Sequence, residues 1–384
     1  MRGHLESAIH QMKQIRLHLP ATIGGLLFGF LVCVPARSTE AVKSVDERLR
    51  LRNETAIHYD EPSAHLRLAR YHYDLGNKVQ AFYIAEFARK MSGDEKFTPV
   101  FEKVAAIKLL ESPSFKDEAA LRRYCQKHPD SVEAQLQALD SDLKSSAAGT
   151  NGAAQSLERI LARFPRHVGP KAVAAKFYLK TGLDEERALA LYIELYFQDP
   201  HYYDGEYAES RIKGITSKHK EAWWTACKQS GRPLKQLVAE EKNPRALDVA
   251  ADQANEKWEA SLVPVMLTML DNDDPTVQTN ALQLLCWHPE DLTEKETVRA
   301  MLKDDDLVKR AMAAFLVVNC LGPTEYPLLQ ENLDSGIKLV QLDAIQALAS
   351  ADNPKGREYL KAHPPAKASK DLMDYWRELV SQKD

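Results

Sequence analysis

The chain has 384 residues, of which 44% are hydrophobic and 28% charged, and its formal net charge is −4. These proportions are ordinary for a soluble folded protein. Residues 250–360 carry 19 acidic and 9 basic side chains, which argues against a nucleic-acid partner, because neutralising a phosphate backbone requires an excess of Lys and Arg.

The N-terminal segment 1–36 is predicted to be a cleaved export signal. Residues 23–34 are an uncharged run of 12 residues, too short for the roughly 20 that span a bilayer but typical of a signal peptide. Lys13 and Arg16 precede the run, and small residues end the segment. An uncleaved anchor or a buried helix is the alternative, and Met12 is an alternative start.

Three prolines close similar helix-ending phrases at a nearly constant interval. Pro129, Pro165 and Pro200 are separated by 36 and 35 residues, and Gly93 lies another 36 residues before Pro129. A period of this length is the sequence signature of a stacked helical array. Such arrays are commonly surfaces that hold other molecules.

Residues 63–94 contain the clearest unit of this period. Small residues that would let two antiparallel helices approach closely stand at Ala69, Gly76, Ala81 and Ala88. Gly76 and Asn77 tolerate positive φ and predict the turn between the helices. The pattern resembles the tetratricopeptide repeat, although His65 stands where that family often has Trp and Gly93 replaces its closing Pro. Units near 97–129, 132–165 and 169–200 repeat it less regularly, so the resemblance extends over about 63–240.

A second array is predicted over about 250–361. Val277, Val308 and Val340 lie 31 and 32 residues apart, and each is followed by apolar residues four and eight positions later, which is one face of a helix. A turn that contains Asp precedes each valine and is expected to cap the helix that follows. The arrangement resembles short HEAT-like repeats.

The sequence contains no recognisable catalytic motif. Phosphate loops, nucleophile elbows and His-Glu-x-x-His zinc motifs are missing, and so is the His-Glu dipeptide of HEAT-like hydroxylases. We interpret His201 as a loop residue, the acidic turn 304–306 as a cap rather than a calcium ligand, and Trp223-Trp224 as packing or as an aromatic anchor. Cys125, Cys227, Cys286 and Cys320 form no Cys-x-x-Cys pair and are interpreted as inert buried thiols. No catalytic, cofactor-binding or metal-ligating residue is predicted.

These observations predict an all-α, right-handed superhelical α-solenoid. A leader at 37–62 precedes the tetratricopeptide-like array at 63–245, the two arrays join near 241–252, and a C-terminal helix or tail at 362–384 follows the HEAT-like array at 250–361. The expected function is a non-catalytic scaffold or adaptor, exported to a bacterial periplasm or secreted, that binds a protein or peptide and meets a membrane only through its signal. The alternatives are an envelope or polymer-processing enzyme with dispersed catalytic residues, and a structural spacer in an envelope complex.

The resemblance to tetratricopeptide arrays also implies where a partner binds. In that family the first helix of each unit lines the concave face. The corresponding residues here are Leu66, Arg70, Tyr73, Val173, Phe177 and Lys180. Leu66 and Arg70 replace the Lys and Asn of carboxylate-binding members, so we expect an extended or helical segment with apolar anchors and some acidic residues.

Overall fold

The computed structural model describes residues 45–91, 115–145, 149–198, 205–350 and 353–381, and every regular element in these ranges is a helix. The predicted all-α class is therefore confirmed for the described residues. The predicted signal and His201 lie outside them. None of the helices in the described ranges is long and apolar enough to cross a membrane.

Nineteen α-helices follow one another along the described chain. The first nine are α1 (Val45–Ile57), α2 (Pro62–Asp74), α3 (Lys78–Met91), α4 (Glu118–Lys127), α5 (Val132–Ser145), α6 (Gly149–Arg163), α7 (Val168–Thr181), α8 (Glu185–Gln198) and α9 (Gly205–Ser230). The others are α10 (Leu234–Glu240), α11 (Pro244–Glu256), α12 (Val263–Met269), α13 (Pro275–Trp287), α14 (Lys295–Met301), α15 (Leu307–Leu316), α16 (Gln330–Leu333), α17 (Lys338–Leu348), α18 (Pro354–Ala362) and α19 (Lys370–Ser381).

The α2–α3 pair forms as its small residues predict. Gly76 joins the helices with φ +81°, a conformation that only glycine adopts without steric cost. Ala69 and Ala81 are fully buried, because their single methyl groups let the two helices pack closely. The later helix ends also agree, since α4 and α6 stop two residues before Pro129 and Pro165.

Two large hydrophobic cores divide the described chain between them. One is built from α2–α3 and α5–α9, and the other from α10 onward to α19. Helix α1 contributes to both, because Leu51 belongs to the first core while Ala56 belongs to the second. The predicted leader therefore contains a helix that is wedged between the arrays. The predicted junction near 241–252 is largely helix α11, whose Leu247 is buried in the second core.

The first helix pair packs against a helix more than 90 residues later in the chain. Helix α3 contacts α8, and the rings of Phe82 and Tyr196 meet edge to face at 6.0 Å. The buried Tyr196 hydroxyl donates to Glu86 Oε2 at 2.6 Å, and Arg89 also bonds this carboxylate. The first array is thus tied together across its length as well as between neighbours.

One of the three valines that align the second array is less buried than the sequence pattern predicts. Val277 and Val340 are fully buried, but Val308 is only half-buried. Val308 is the second residue of its helix, whereas Val277 and Val340 are each the third. Lys309 occupies the equivalent third position and forms an ion pair with Asp271 of the preceding turn. Valine spacing therefore does not locate the start of this helix, although Met312 and Leu316, four and eight residues after Val308, are buried as the pattern predicts.

The capping prediction holds for two of the three acidic turns. Asp274 Oδ1 accepts from the backbone N–H of Thr276 at 2.8 Å, and Asp306 Oδ1 accepts from that of Val308 at 3.0 Å. For α17 the prediction was wrong, because Ile337 stands at the N-cap and provides no side-chain bond. The nearby Asp334 instead accepts from the Ala366 N–H, at 2.9 Å.

Candidate partner-binding site

Helix α1 is held by the acidic turns of the second array. Arg48 Nε lies 2.8 Å from Asp273 Oδ2, and Arg52 is paired with both Asp273 and Asp306. The Arg52 side chain is 2% exposed, so its charge is removed from water and must be balanced locally. Two successive turns supply that balance from residues more than 200 positions away.

The contact continues beyond the arginines along the same helix. Asn53 Nδ2 donates to the carbonyl oxygen of Asp305 at 2.9 Å, and Asn53 Oδ1 accepts from the Leu307 N–H at 2.9 Å. Just past the helix, Asp60 Oδ2 lies 2.6 Å from Lys338 Nζ at the start of α17. The segment from Arg48 to Asp60 therefore crosses all three units of the second array. We call this contact the α1 seat.

Asp273 is the electrostatic centre of the α1 seat. His72 Nε2 lies 2.7 Å from Asp273 Oδ2, so the first array also reaches this carboxylate. Burial alone would raise the pKa of Asp273, but Arg52, the His72 hydrogen bond and Arg48 together hold it well below its ordinary value. Burial likewise opposes the charge of Arg52, and Asp273 with Asp306 outweighs it and raises the Arg52 pKa.

Two concavities flank the seat on either side of the α12–α13 turn. Thr268 and Asp271 border both of them. The first, a cleft of about 370 Å³ between the arrays, is lined by side chains that include Arg48, Tyr71, His72, Asn77, Gln80, Glu241, Lys242 and Asn272. The second, a groove of about 560 Å³ between α12 and α14, is lined by side chains that include Lys235, Leu267, Glu294, Thr297, Met301, Asp304 and Lys309. Both mix apolar area with charges of either sign.

A separate polar cluster lies where α11 meets the first array. The Arg245 guanidinium stacks on the Tyr83 ring at 4.0 Å and pairs with Asp274 Oδ2 at 2.6 Å. Asp248 lies beside it, with 3.7 Å between Arg245 Nη1 and Asp248 Oδ1. Burial raises the pKa of Asp248 to about 6 despite the attraction of Arg245 and Lys220.

The six residues predicted to bind a partner are all in the described part of the chain. Leu66, Tyr73, Val173 and Phe177 are half-buried against the first core, and Arg70 and Lys180 are exposed. Arg70 lies over the rings of Tyr73 and Phe197, at 5.5 and 5.2 Å from their centroids. The three residues on α2 and the three on α7 are thus partly exposed aromatic, aliphatic and cationic groups on two separate helices, and Arg70 is also paired with Asp74 at 2.9 Å.

The Glu194 carboxylate of α8 contacts both helices that carry the predicted binding residues, α2 and α7. The Tyr73 hydroxyl donates to Glu194 Oε1 at 3.1 Å, and Lys171 Nζ lies 2.9 Å from Glu194 Oε2. Burial together with Glu194 raises the pKa of Tyr73 to about 12. Helix α8 thus lies between α2 and α7. Its Glu194 bonds the predicted residue Tyr73 of α2 and also Lys171, which lies close to the predicted Val173 on α7.

Sequence reasoning missed the α1 seat. The available signal was the pair Arg48 and Arg52, four residues apart and so on one helix face, opposite a segment with an acidic excess. The partners of these arginines could not be identified without the fold. The junction tryptophans differ: Trp223 packs against the second core, whereas Trp224 is half-buried and its ring centroid lies 5.2 Å from Lys228 Nζ.

A scan against protein-family models, a search of curated proteins and a search of solved structures each returned no significant match.

Proposed function

We propose that this protein is a non-catalytic scaffold that holds a segment of another protein on its helical arrays. The α1 seat is the observation that carries the proposal. A helix from one end of the chain lies across three units of the second array and is bound by arginine, asparagine and aspartate side chains. Helix recognition by grooves and charged turns is a recurrent mode of peptide binding.

The surfaces left open beside this helix support binding of a further segment. The cleft and the groove adjoin the seat and offer carboxylates, lysines and apolar side chains. On the first array, Arg70 is an exposed cation over the rings of Tyr73 and Phe197, and Lys180 is an exposed cation on the helix that carries the half-buried Phe177. The latter surface suits a segment with apolar anchors and acidic residues, because buried anchors give affinity and charges give orientation.

A peptide-display selection against the full chain tests the proposal. We expect enriched peptides to pair hydrophobic residues at helical spacing with acidic side chains. Arg70→Ala and Phe177→Ala should each weaken such a peptide by about 1–2 kcal/mol, whereas Arg377→Ala, on the exposed side of the C-terminal helix, serves as the control. Selection that enriches no peptide, or peptides unaffected by both first-array variants and by Lys309→Ala in the groove, would count against a scaffold.

The enzyme alternative needs titratable groups that converge in one cavity and stay available for proton transfer. The cleft does contain His72 and Asp273, but Asp273 is already bound by Arg48, Arg52 and His72 itself. We therefore interpret this pair as part of the α1 seat. Among the described residues, His288, Glu290 and Asp291 bring three potential metal ligands within 4.8 Å of one another, but Asp291 already accepts from Trp258 Nε1, and exposed acidic groups of this kind are common without an ion.

We also propose that the chain is exported and that its mature form begins after Ala36. The short apolar run and the small residues before that position support this proposal. N-terminal sequencing of the protein from its native host tests it, and residues before Ile23 on the mature protein would overturn it.

The repeat type and the overall superhelical arrangement of the helices are also proposals. We infer that the helix pairs are tetratricopeptide-like and HEAT-like repeats arranged as a right-handed superhelix, on the strength of their period and of their packing in consecutive pairs. A compact globule of residues 37–384 would have a radius of gyration of about 20 Å. Small-angle scattering of an extended superhelix should give a clearly larger value.

A further inference from the structure

Two cysteines from adjacent units of the second array lie side by side. Cys286 is buried near the end of α13, and Cys320 is half-buried in the π-helical turn Val317–Leu321 that follows α15. Cys286 Sγ lies 3.9 Å from the carbonyl oxygen of Phe315, and Cys320 Sγ lies 3.8 Å from that of Leu285. Each thiol therefore reaches across to the backbone beside the other.

The neighbouring Cys320 also affects the titration of Cys286. A hydrogen bond to Cys320, together with burial, raises the pKa of Cys286 well above its ordinary value. The π-helical turn is what brings Cys320 to this place, since it adds a wider turn after α15 before Gly322 ends it with φ +86°. Single π-turns of this kind are uncommon and occur often at functional positions.

We propose that Cys286 and Cys320 form an intramolecular disulfide when the protein meets a disulfide oxidant. The proposal differs from the interpretation of all four cysteines as inert thiols, for this pair alone. Cys125 on α4 and Cys227 on α9 lie outside the second array, and they are half-buried, not buried as predicted. The proposal does not depend on the proposed scaffold function, although an exported protein would meet oxidising conditions.

The reaction balances as two thiol–disulfide exchanges with oxidised glutathione. Cys320 is the more exposed thiol, so its thiolate attacks one glutathione sulfur, forms a mixed disulfide and releases one glutathione thiolate. The Cys286 thiol loses its proton to solvent, and its sulfur attacks Cys320 Sγ and expels the second glutathione. The protein loses two electrons and two protons, and one oxidised glutathione becomes two reduced ones.

Peptide mapping of the full chain after incubation with oxidised glutathione tests the proposal. We expect a linked peptide pair that contains Cys286 and Cys320, and a fall in titratable thiols from the five in the sequence by two. Because the bond would close a loop between neighbouring units, the oxidised protein should melt roughly 5 °C higher than the reduced protein.

Matched variants separate this pair from the other thiols. The double variant Cys125→Ser with Cys227→Ser should keep both the linked peptide and the melting shift, whereas Cys320→Ser should lose both. Cys286→Ser should stop at a glutathione adduct on Cys320. Should a variant fail to fold, the mapping of the unsubstituted chain still decides: a persistent glutathione adduct on Cys320, or free Cys286 and Cys320 after incubation, overturns the proposal.

Discussion

A single carboxylate, Asp273, bonds side chains of two separate helices. It lies between Arg48 and Arg52 of α1 and His72 of α2, and it is almost fully buried. Burying so many charges stabilises a protein only when every group is paired, and removing one partner leaves the others uncompensated. The consequences of changing this residue should therefore exceed those of changing other acidic turn residues.

We expect Asp273→Asn to lower the free energy of unfolding by about 3–5 kcal/mol at pH 7, because it leaves Arg52 buried with one carboxylate fewer. Urea melts measure the loss. Asp305→Asn is the matched control in the next acidic turn: its side chain is exposed, and it should cost under about 1 kcal/mol. Comparable losses in the two variants would contradict the assignment.

The pH dependence of Asp273 has a definite sign. Its pKa is lower in the folded state than in the unfolded chain, so the stability it contributes is complete above the ordinary carboxyl pKa of about 4. That contribution declines as the pH falls below this value, because protons bind the unfolded state first.

The carboxyl of Asp248 affects the pH dependence of stability in the opposite direction to that of Asp273. Its folded pKa of about 6 lies above the ordinary value of 3.8, so its cost to stability develops as the pH rises through this window and persists above it. Asp248→Asn should therefore raise the free energy of unfolding by on the order of 1–3 kcal/mol at pH 7.5. At pH 3.5, where both states are protonated, melts of the two proteins should nearly coincide; a gain of equal size at both pH values would exclude this cause.

At the scale of elements, the helices of the second array are equivalent only when they are aligned by their N-caps. Aligned in this way, Val277, Lys309 and Val340 share one position, and Val308, one residue earlier, is only partly buried against the second core. Lys309 is tolerated there because it extends to Asp271. The units thus share backbone geometry and differ in how one contact position is filled.

This alignment predicts unequal costs for the same substitution. Val340→Asp should lower the free energy of unfolding by on the order of 3 kcal/mol or more, since it places an unpaired charge at a fully buried site. Val308→Asp should cost clearly less, because the half-buried carboxylate reaches water. Urea melts of the two variants provide the comparison. If Val308→Asp lowers the free energy of unfolding as much as Val340→Asp does, the valines and not the N-caps mark equivalent positions.

At the scale of the whole molecule, α1 joins the two arrays. Leu51 enters the first core, Ala56 enters the second, and Arg52 between them pairs with two acidic turns. His65 lies nearby, and burial lowers its pKa to about 4, so this region favours a neutral imidazole. The arrays therefore share a buried boundary that depends on a helix from outside both.

We expect removal of residues 1–57 to uncouple the arrays. Amide hydrogen exchange should quicken in the α2–α3 pair and in the turns that contain Asp273 and Asp306, because these regions lose their common partner. A chain lacking only residues 1–36 is the control and should exchange as the full chain does. Unchanged exchange in both truncated chains would show that α1 does not couple the arrays.

Most local features could be predicted from the sequence because they depend on neighbouring residues. Positive φ at Gly76, the prolines after α4 and α6, and the caps at Asp274 and Asp306 each follow from short-range steric and hydrogen-bonding preferences. The predicted surface around Arg70 is also present as a partly exposed patch, and its role in binding stays a prediction.

The long-range contacts were decided by the tertiary structure alone. The seating of α1 on Asp273, the packing of α3 on α8, and the meeting of Cys286 with Cys320 join residues between 34 and more than 200 positions apart. Periodicity identifies which face of a helix is apolar, but many pairings of such faces bury similar area. The choice among them depends on shape and on buried charges whose partners are identified only in three dimensions. The sequence by itself therefore determined the helices, and the tertiary structure decided which of them pack together.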